Sequence, residues 1–164
     1  MSEKVLCVLQ VAKPAWSRII HEKLIITPNR TFVVRGWEEH KHAGTYAGST
    51  DIVSLIFGLA EGVSDAHKTA KSKKKMRERE RYVNTPEKLL KADKSNFAIS
   101  NSDINEVRLK KNVFRTISIN FFTKDKKKFG WYLKGLNDKT KDVKLEECEN
   151  ILRLIFGDKL SVKK

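Results

Sequence analysis

The sequence predicts an α+β fold, on three observations. Residues 3–48 and 96–135 are rich in β-branched and aromatic side chains bounded by turn residues. Residues 49–95 turn helical and then strongly basic. Residues 142–156 carry an apolar stripe at helical spacing. At 164 residues the chain suits one domain, 1–164, with residues 49–95 as a helical, basic insertion within it.

Val5, Cys7, Leu9 and Val11 occupy alternate positions, the period of a strand with one buried face, and Pro14 ends the run or marks an edge. Lys23-Leu24-Ile25-Ile26-Thr27 and Thr31-Phe32-Val33-Val34-Arg35-Gly36 then flank Pro28-Asn29-Arg30. Pro presets a turn and Asn tolerates one, so the two runs read as a hairpin. His40 to Gly48 is small and polar and reads as a loop.

In the insertion, Ser49 or Thr50 can cap a helix and Asp51 complements its first turn. Ile52, Leu55, Ile56, Leu59 and Val63 fall on one helical face, while Val53, Phe57 and Ala60 lie outside that stripe. One packed face cannot bury all of them, so some are expected to touch lipid, another subunit or a groove. The stretch that follows has no apolar stripe and reads as a solvated helix or a mobile segment. Thr85, Pro86 and Glu87 then start a second, short helix, which Leu89 and Leu90 can anchor.

Phe97 and Ile99 alternate ahead of the turn cluster Asn101-Ser102-Asp103, and Ile104, Val107 and Leu109 mark the next strand. Phe114 to Phe122 has the cleanest alternation. The basic turn Lys124-Asp125-Lys126-Lys127-Lys128 leads into Phe129 to Leu133. Asp142 is positioned to cap a last helix whose apolar face is Leu145, Cys148, Ile151, Leu152, Ile155 and Phe156, with Gly157 as its stop. Cys7 and Cys148 both sit in apolar patterns and read as core thiols rather than as a disulfide or metal ligands. Trp16, Trp37 and Trp131 lie in or beside strands, and core roles are expected for them.

Catalytic patterns are missing from the sequence. His40 and His42 stand beside Glu38 and Glu39, but no distant further ligand is evident, so a solvated polar loop is the favoured reading over a metal site. His21-Glu22 lacks the second histidine of a zinc-protease helix, and Gly44 and Gly48 lack the Lys-Ser/Thr of a phosphate loop. No enzyme activity, cofactor or metal is therefore expected. The start of the chain does not read as a signal peptide. The longest other apolar run, Ile52 to Val63, is shorter than the roughly 20 residues of a membrane span. A cytoplasmic protein is expected.

The charge balance points to a polyanionic partner. Lys and Arg number 34 against 20 acids, a net charge of +14 and a pI near 9.8. The densest run holds Lys68, Lys71, Lys73, Lys74, Lys75, Arg77, Arg79 and Arg81 against Glu78 and Glu80. Charge runs are ordinarily solvated faces. This one follows an apolar helix, and that order also describes an interfacial membrane anchor, in which Ile52, Leu55, Ile56, Phe57 and Leu59 supply the apolar contact and the basic run attracts anionic lipid. Nucleic acid is the rival ligand, since phosphate contacts need only Lys and Arg. No aromatic side chain for base stacking is interleaved with the run.

The segment Leu24-Ile25-Ile26-Thr27-x-x-Arg30-x-Phe32-Val33-Val34 resembles the second and third strands of bacterial and archaeal pleckstrin-homology-like, GRAM-like domains. Phe97-Ala98-Ile99-Ser100-x-Ser102-Asp103-Ile104-x-x-Val107 is similar to their middle strands, and the closing strand pair and helix fit as well. The resemblance covers residues 3–48 and 96–157. It implies a partly open antiparallel β-barrel capped by the C-terminal helix; with the apolar and basic insertion, the expected role is a binding module at the inner membrane face for anionic lipid or an acidic protein. The last helix lacks the Trp usual in eukaryotic members. Only Lys13 and Arg18 stand near Pro14 and Trp16, where phosphoinositide-binding members carry a basic motif, so the usual headgroup route is not expected.

Overall fold

A computed structural model of the chain describes residues 3–16, 18–40, 85–112, 116–137 and 143–163. The insertion's apolar helix and basic run, expected within 49–84, lie outside the described residues. The described strands are β1 (Cys7–Pro14), β2 (Arg18–Ile26), β3 (Arg30–His40), β4 (Phe97–Ser100), β5 (Ile104–Lys111), β6 (Ile117–Thr123), β7 (Lys128–Leu136) and β8 (Leu160–Lys163). Two helices accompany them, α1 (Pro86–Ala92) and α2 (Leu145–Phe156). The fold is α+β. The strands form one sheet in the order β4-β3-β2-β1-β7-β6-β5-β8, antiparallel throughout except for the parallel pair β5 and β8. Among the described residues it does not close: β4 and β8 are its two edges.

The alternation in the sequence explains the inner face. Cys7, Leu9 and Val11 of β1, Leu24 and Ile26 of β2, Val107 and Leu109 of β5, and Ile119 and Phe121 of β6 enter one core with Leu145, Cys148, Leu152 and Phe156 of α2. Each such Leu or Phe removed from water contributes roughly 1.5–3 kcal/mol. The sheet curls to do this. Phe97 of β4 and Phe129 of β7 meet with ring centroids 5.5 Å apart, although β4 and β7 are four places apart in the strand order. A flat sheet would separate those strands by about 19 Å.

The outer face is covered locally. Ile25, Phe32 and Val34 point away from the main core and are buried under Leu89 of α1, so β2 and β3 are apolar on both sides. That accounts for their continuous apolar runs. Pro86 stands at the start of α1, as the sequence predicts. Arg30 bridges Glu3 at 2.6 Å and Glu87 at 3.1 Å, fastening the N-terminal segment and α1 to the β2–β3 turn. The expected hairpin turn is present, with the Thr27 N–H donating to the Arg30 carbonyl at 2.9 Å.

Several expectations are corrected. β2 begins at Arg18 and not at Lys23, because Arg18 to Lys23 are all half-buried and show no alternation. The three-residue step from Ile104 to Val107 comes from an irregularity between Ile104 and Glu106, after which both are buried. The N-cap of α2 is Lys144, whose N–H is taken by Glu147 at 3.2 Å; Asp142 lies outside the described residues. Ile151 and Ile155 are half-buried rather than core. Gly157 does end α2, at φ +53° and ψ −126°, a conformation closed to most L-residues. β8 follows it; Leu160 and Val162 alternate toward the core, but four residues are too few to announce a strand.

Cys7 and Cys148 are free and buried, as expected for core thiols. Burial, with Cys148 nearby, pushes the Cys7 thiol up to about 12, so it stays protonated and a poor nucleophile at neutral pH.

Candidate functional site

The basic residues Lys68, Lys71, Lys73, Lys74, Lys75, Arg77, Arg79 and Arg81, and the apolar Ile52, Leu55, Ile56, Phe57 and Leu59, all lie outside the described residues. The described part of the molecule has two surface features of its own that can meet a ligand.

The first is the tip of the β1–β2 hairpin. β1 and β2 pair from Cys7↔Ile26 to Pro14↔Ile19, and the Ala15 N–H closes the turn on the Arg18 carbonyl at 2.9 Å. So short a turn leaves a large side chain at its apex no neighbour to pack on. Trp16 is 100% exposed there, which overturns the core role expected from its place beside a strand. Trp131 meets that expectation: it is buried, and its indole N–H donates to Glu22. The side chain of Trp37 is not among those described. Lys13 and Arg18 flank the Trp16 apex. Arg18 is held by Glu38 at 2.6 Å and stays 43% exposed. His40, the last described residue before segment 41–84, is the cross-strand partner of Arg18.

Glu38 carries two guanidiniums, those of Arg18 and Arg35. Burial works to raise its carboxyl, but Arg35 and Arg18 outweigh that and hold it below the usual carboxylate range. Its lone pairs are committed to these ion pairs. Among the described residues no cluster of His, Cys, Asp and Glu has the geometry to hold a metal ion.

The second feature lies at the open seam of the sheet. A cleft of about 420 Å3 separates the edge strand β4 from the β6–β7 turn. Phe97, Ile99 and Phe129 form its apolar part, and Asp103, Lys124 and Lys127 are among its polar lining. The cleft exists because the curled sheet brings its first edge against β7 without pairing the two. The turn is pinned from both sides. Lys124 donates its N–H to the Asp103 carbonyl at 2.9 Å, and Thr123 donates its N–H to the Lys127 carbonyl at 3.0 Å. Asp125 is held down to about 2, first by its hydrogen bond from Lys127 and then by that from Thr123, so it is ionised at any ordinary pH. The whole turn, Lys124 to Lys128, is exposed and carries four lysines against one aspartate.

For the hairpin tip, the only sequence pointer was its place where phosphoinositide-binding members of the resembled family carry a basic motif, and for the cleft there was none. Trp16 itself was expected in the core, with the other two tryptophans. The cleft joins residues from distant parts of the chain, so no local pattern can report it. No helix among the described residues is long and apolar enough to cross a membrane. No protein-family model, curated protein or solved structure matches this chain.

Proposed function

We propose that this chain is a non-enzymatic, pleckstrin-homology-like binding module for an anionic membrane surface, or for a protein held at that surface. The observation that carries the reading is Trp16, fully exposed at a hairpin apex between Lys13 and Arg18. Trp favours the boundary between lipid headgroups and acyl chains, because its ring is apolar and its N–H is polar. Basic neighbours add about 1 kcal/mol each near an anionic surface. The curled, incompletely closed sheet, with α2 packed into its core, supports the family resemblance.

The remainder of the proposed surface is read from sequence. Ile52, Leu55, Ile56, Phe57 and Leu59 supply apolar contact, and Lys68, Lys71, Lys73, Lys74, Lys75, Arg77, Arg79 and Arg81 supply the attraction. β3 hands the chain to this segment at His40, across from Arg18 and close to the Trp16 apex. At the membrane, the module would sit at the cytoplasmic face, where anionic lipid is found.

Co-sedimentation with phosphatidylcholine vesicles, with and without phosphatidylserine, tests the reading. The parent chain should bind only the anionic vesicles, and less as salt rises. Trp16→Ser and Phe57→Ser should each weaken binding without changing the salt slope. Changing Lys73, Lys74, Lys75 and Arg77 together to Ala should weaken it and flatten that slope. Failure of the parent to bind, or binding that survives these changes, removes the membrane reading. An exposed Trp can also stack on a base. A gel shift of RNA or DNA with a steep salt slope, in a chain that ignores vesicles, would replace lipid with nucleic acid as the partner.

A further inference from the structure

The hydrogen-bond parity of β4 shows what its outer edge offers. In an antiparallel pair, the residues that exchange ladder bonds recur at every second position. On the β2 side of β3, Thr27 bonds Arg30 across the turn, so Arg30, Phe32 and Val34 face β2. On the other side, the Asn101 N–H donates to the Asn29 carbonyl at 2.8 Å, in register with Thr31↔Ile99 and Val33↔Phe97. Phe97 and Ile99 therefore spend their backbone groups on β3, and Ala98 and Ser100 turn theirs outward. The Ser100 carbonyl is taken by the Asp103 N–H at 3.0 Å. Among the described residues, the Ala98 N–H, the Ala98 carbonyl and the Ser100 N–H have no partner, and they stand in a row along the cleft.

Edge strands are normally protected by short length, charge or proline, and at four residues β4 has only the first of these. β8, the other edge, carries Lys163. β4 reads Phe97-Ala98-Ile99-Ser100, with no charge and no proline, and its edge borders a cleft of mixed polar and apolar lining whose volume lies within the roughly 300–1,000 Å3 of ordinary ligand sites. Across the cleft stands the lysine-rich β6–β7 turn, in which Lys127 is paired with Asp125 at 2.7 Å while Lys124 has no ion pair among the described residues.

We propose that the outer edge of β4 docks an extended, acidic peptide segment of a protein partner, which adds to the sheet as a further strand in the seam between β4 and the β6–β7 turn. The backbone of the segment takes the three free groups of Ala98 and Ser100. Alternate apolar side chains pack on the touching rings of Phe97 and Phe129 that line the cleft, and its acidic side chains meet Lys124 and the neighbouring lysines. A second copy of this chain is a poorer occupant, because it would bring a net charge of +14 against the same basic turn. The proposal does not rest on the membrane reading: vesicle binding and peptide binding are separate measurements, and each can fail alone.

The test is amide NMR on the full-length chain, with a capped hexapeptide of alternating valine and glutamate. Binding should shift the Ala98 and Ser100 amides and slow their hydrogen exchange, while Phe97 and Ile99 exchange slowly with or without peptide. A valine–lysine peptide of equal length should not bind. Methylating the backbone nitrogens of the peptide should abolish binding. Lys124→Glu should weaken it roughly three- to tenfold. Ala98→Pro removes the outward N–H without taking a ladder bond from β3, and should also abolish binding; circular dichroism checks that it folds, and the methylated peptide decides the matter if it does not. Unmoved Ala98 and Ser100 amides at millimolar peptide would overturn the proposal. So would equal binding of the methylated peptide. Concentration-dependent dimerisation that protects the same two amides would also overturn it, in favour of self-pairing.

Discussion

The side-chain carbonyl of Asn96 accepts a hydrogen bond from the backbone N–H of Arg35 at 2.8 Å. Thr31 and Val33 of β3 find ladder partners in Ile99 and Phe97. Arg35 has the same parity, but β4 begins only at Phe97, so its N–H would have no strand to meet. Asn96 supplies the missing acceptor. Its other end donates to the carbonyl of Leu89 in α1 at 2.6 Å, and the residue is buried. One amide thus joins the outer face of β3 to the helix that covers it.

Asn96→Ala should cost roughly 1–3 kcal/mol, because it removes two hydrogen bonds, from the Arg35 N–H and to the Leu89 carbonyl, in a buried place. Urea unfolding measures the loss. Amide exchange should show α1 loosening first. A change below about 0.5 kcal/mol would mean that water replaces the amide at no cost.

Leu152 and Leu154 stand two positions apart on α2 and face opposite ways: Leu152 is fully buried and Leu154 is 89% exposed. Leu152→Ala should destabilise the chain by roughly 2–5 kcal/mol. Leu154→Ser should stay within about 0.5 kcal/mol. Equal losses at the two positions would place the helix in a different rotation on the sheet.

Lys126 sits at φ 64° in the β6–β7 turn, with its N–H on the Thr123 carbonyl at 3.0 Å. A three-residue loop of this form ends in a left-handed residue, which suits glycine. Lys126→Gly should therefore stabilise the chain by about 1 kcal/mol in urea unfolding. Lys126→Val should do the reverse. Destabilisation by glycine would show that the lysine side chain makes a compensating contact.

The Glu38 carboxyl lies below its ordinary value, with burial outweighed by Arg35 and Arg18. A group depressed on folding contributes stability that is fully present above its unfolded value, about 4.3, and is lost as pH falls through the folded value. Glu38→Gln should therefore weaken the chain near neutral pH, by less than about 1 kcal/mol because the ion pairs are partly exposed. The difference from the parent should vanish at about pH 2. Thermal melts across that range measure both limbs, and a difference that grows in acid would reverse the assignment.

The sequence by itself determined the elements whose pattern is local. Cys7, Leu9 and Val11 alternate because one face of β1 meets the core, and Leu145, Cys148, Leu152 and Phe156 recur at helical spacing because one face of α2 does. Asn101-Ser102-Asp103 and Pro28-Asn29 marked turns through their own backbone preferences. The continuous apolar runs of β2 and β3 held a further signal, two-sided burial, which the covering by Leu89 explains.

Only the tertiary structure decided the rest. The first half of β2 is half-buried without alternation, and β8 is four residues long and exists because β5 leaves an edge for it. Trp16 is exposed because its turn is too short to return it to the sheet, a matter of geometry that residue type does not report. The seam cleft, with Phe97 against Phe129 and Asp103 against Lys124, depends on how far the sheet curls. Curling is set by the sum of packing over the whole core, whereas period and turn chemistry act within a few residues. Period and turn chemistry were therefore legible in this chain, while the exposure of Trp16 and the seam cleft had to wait for the fold.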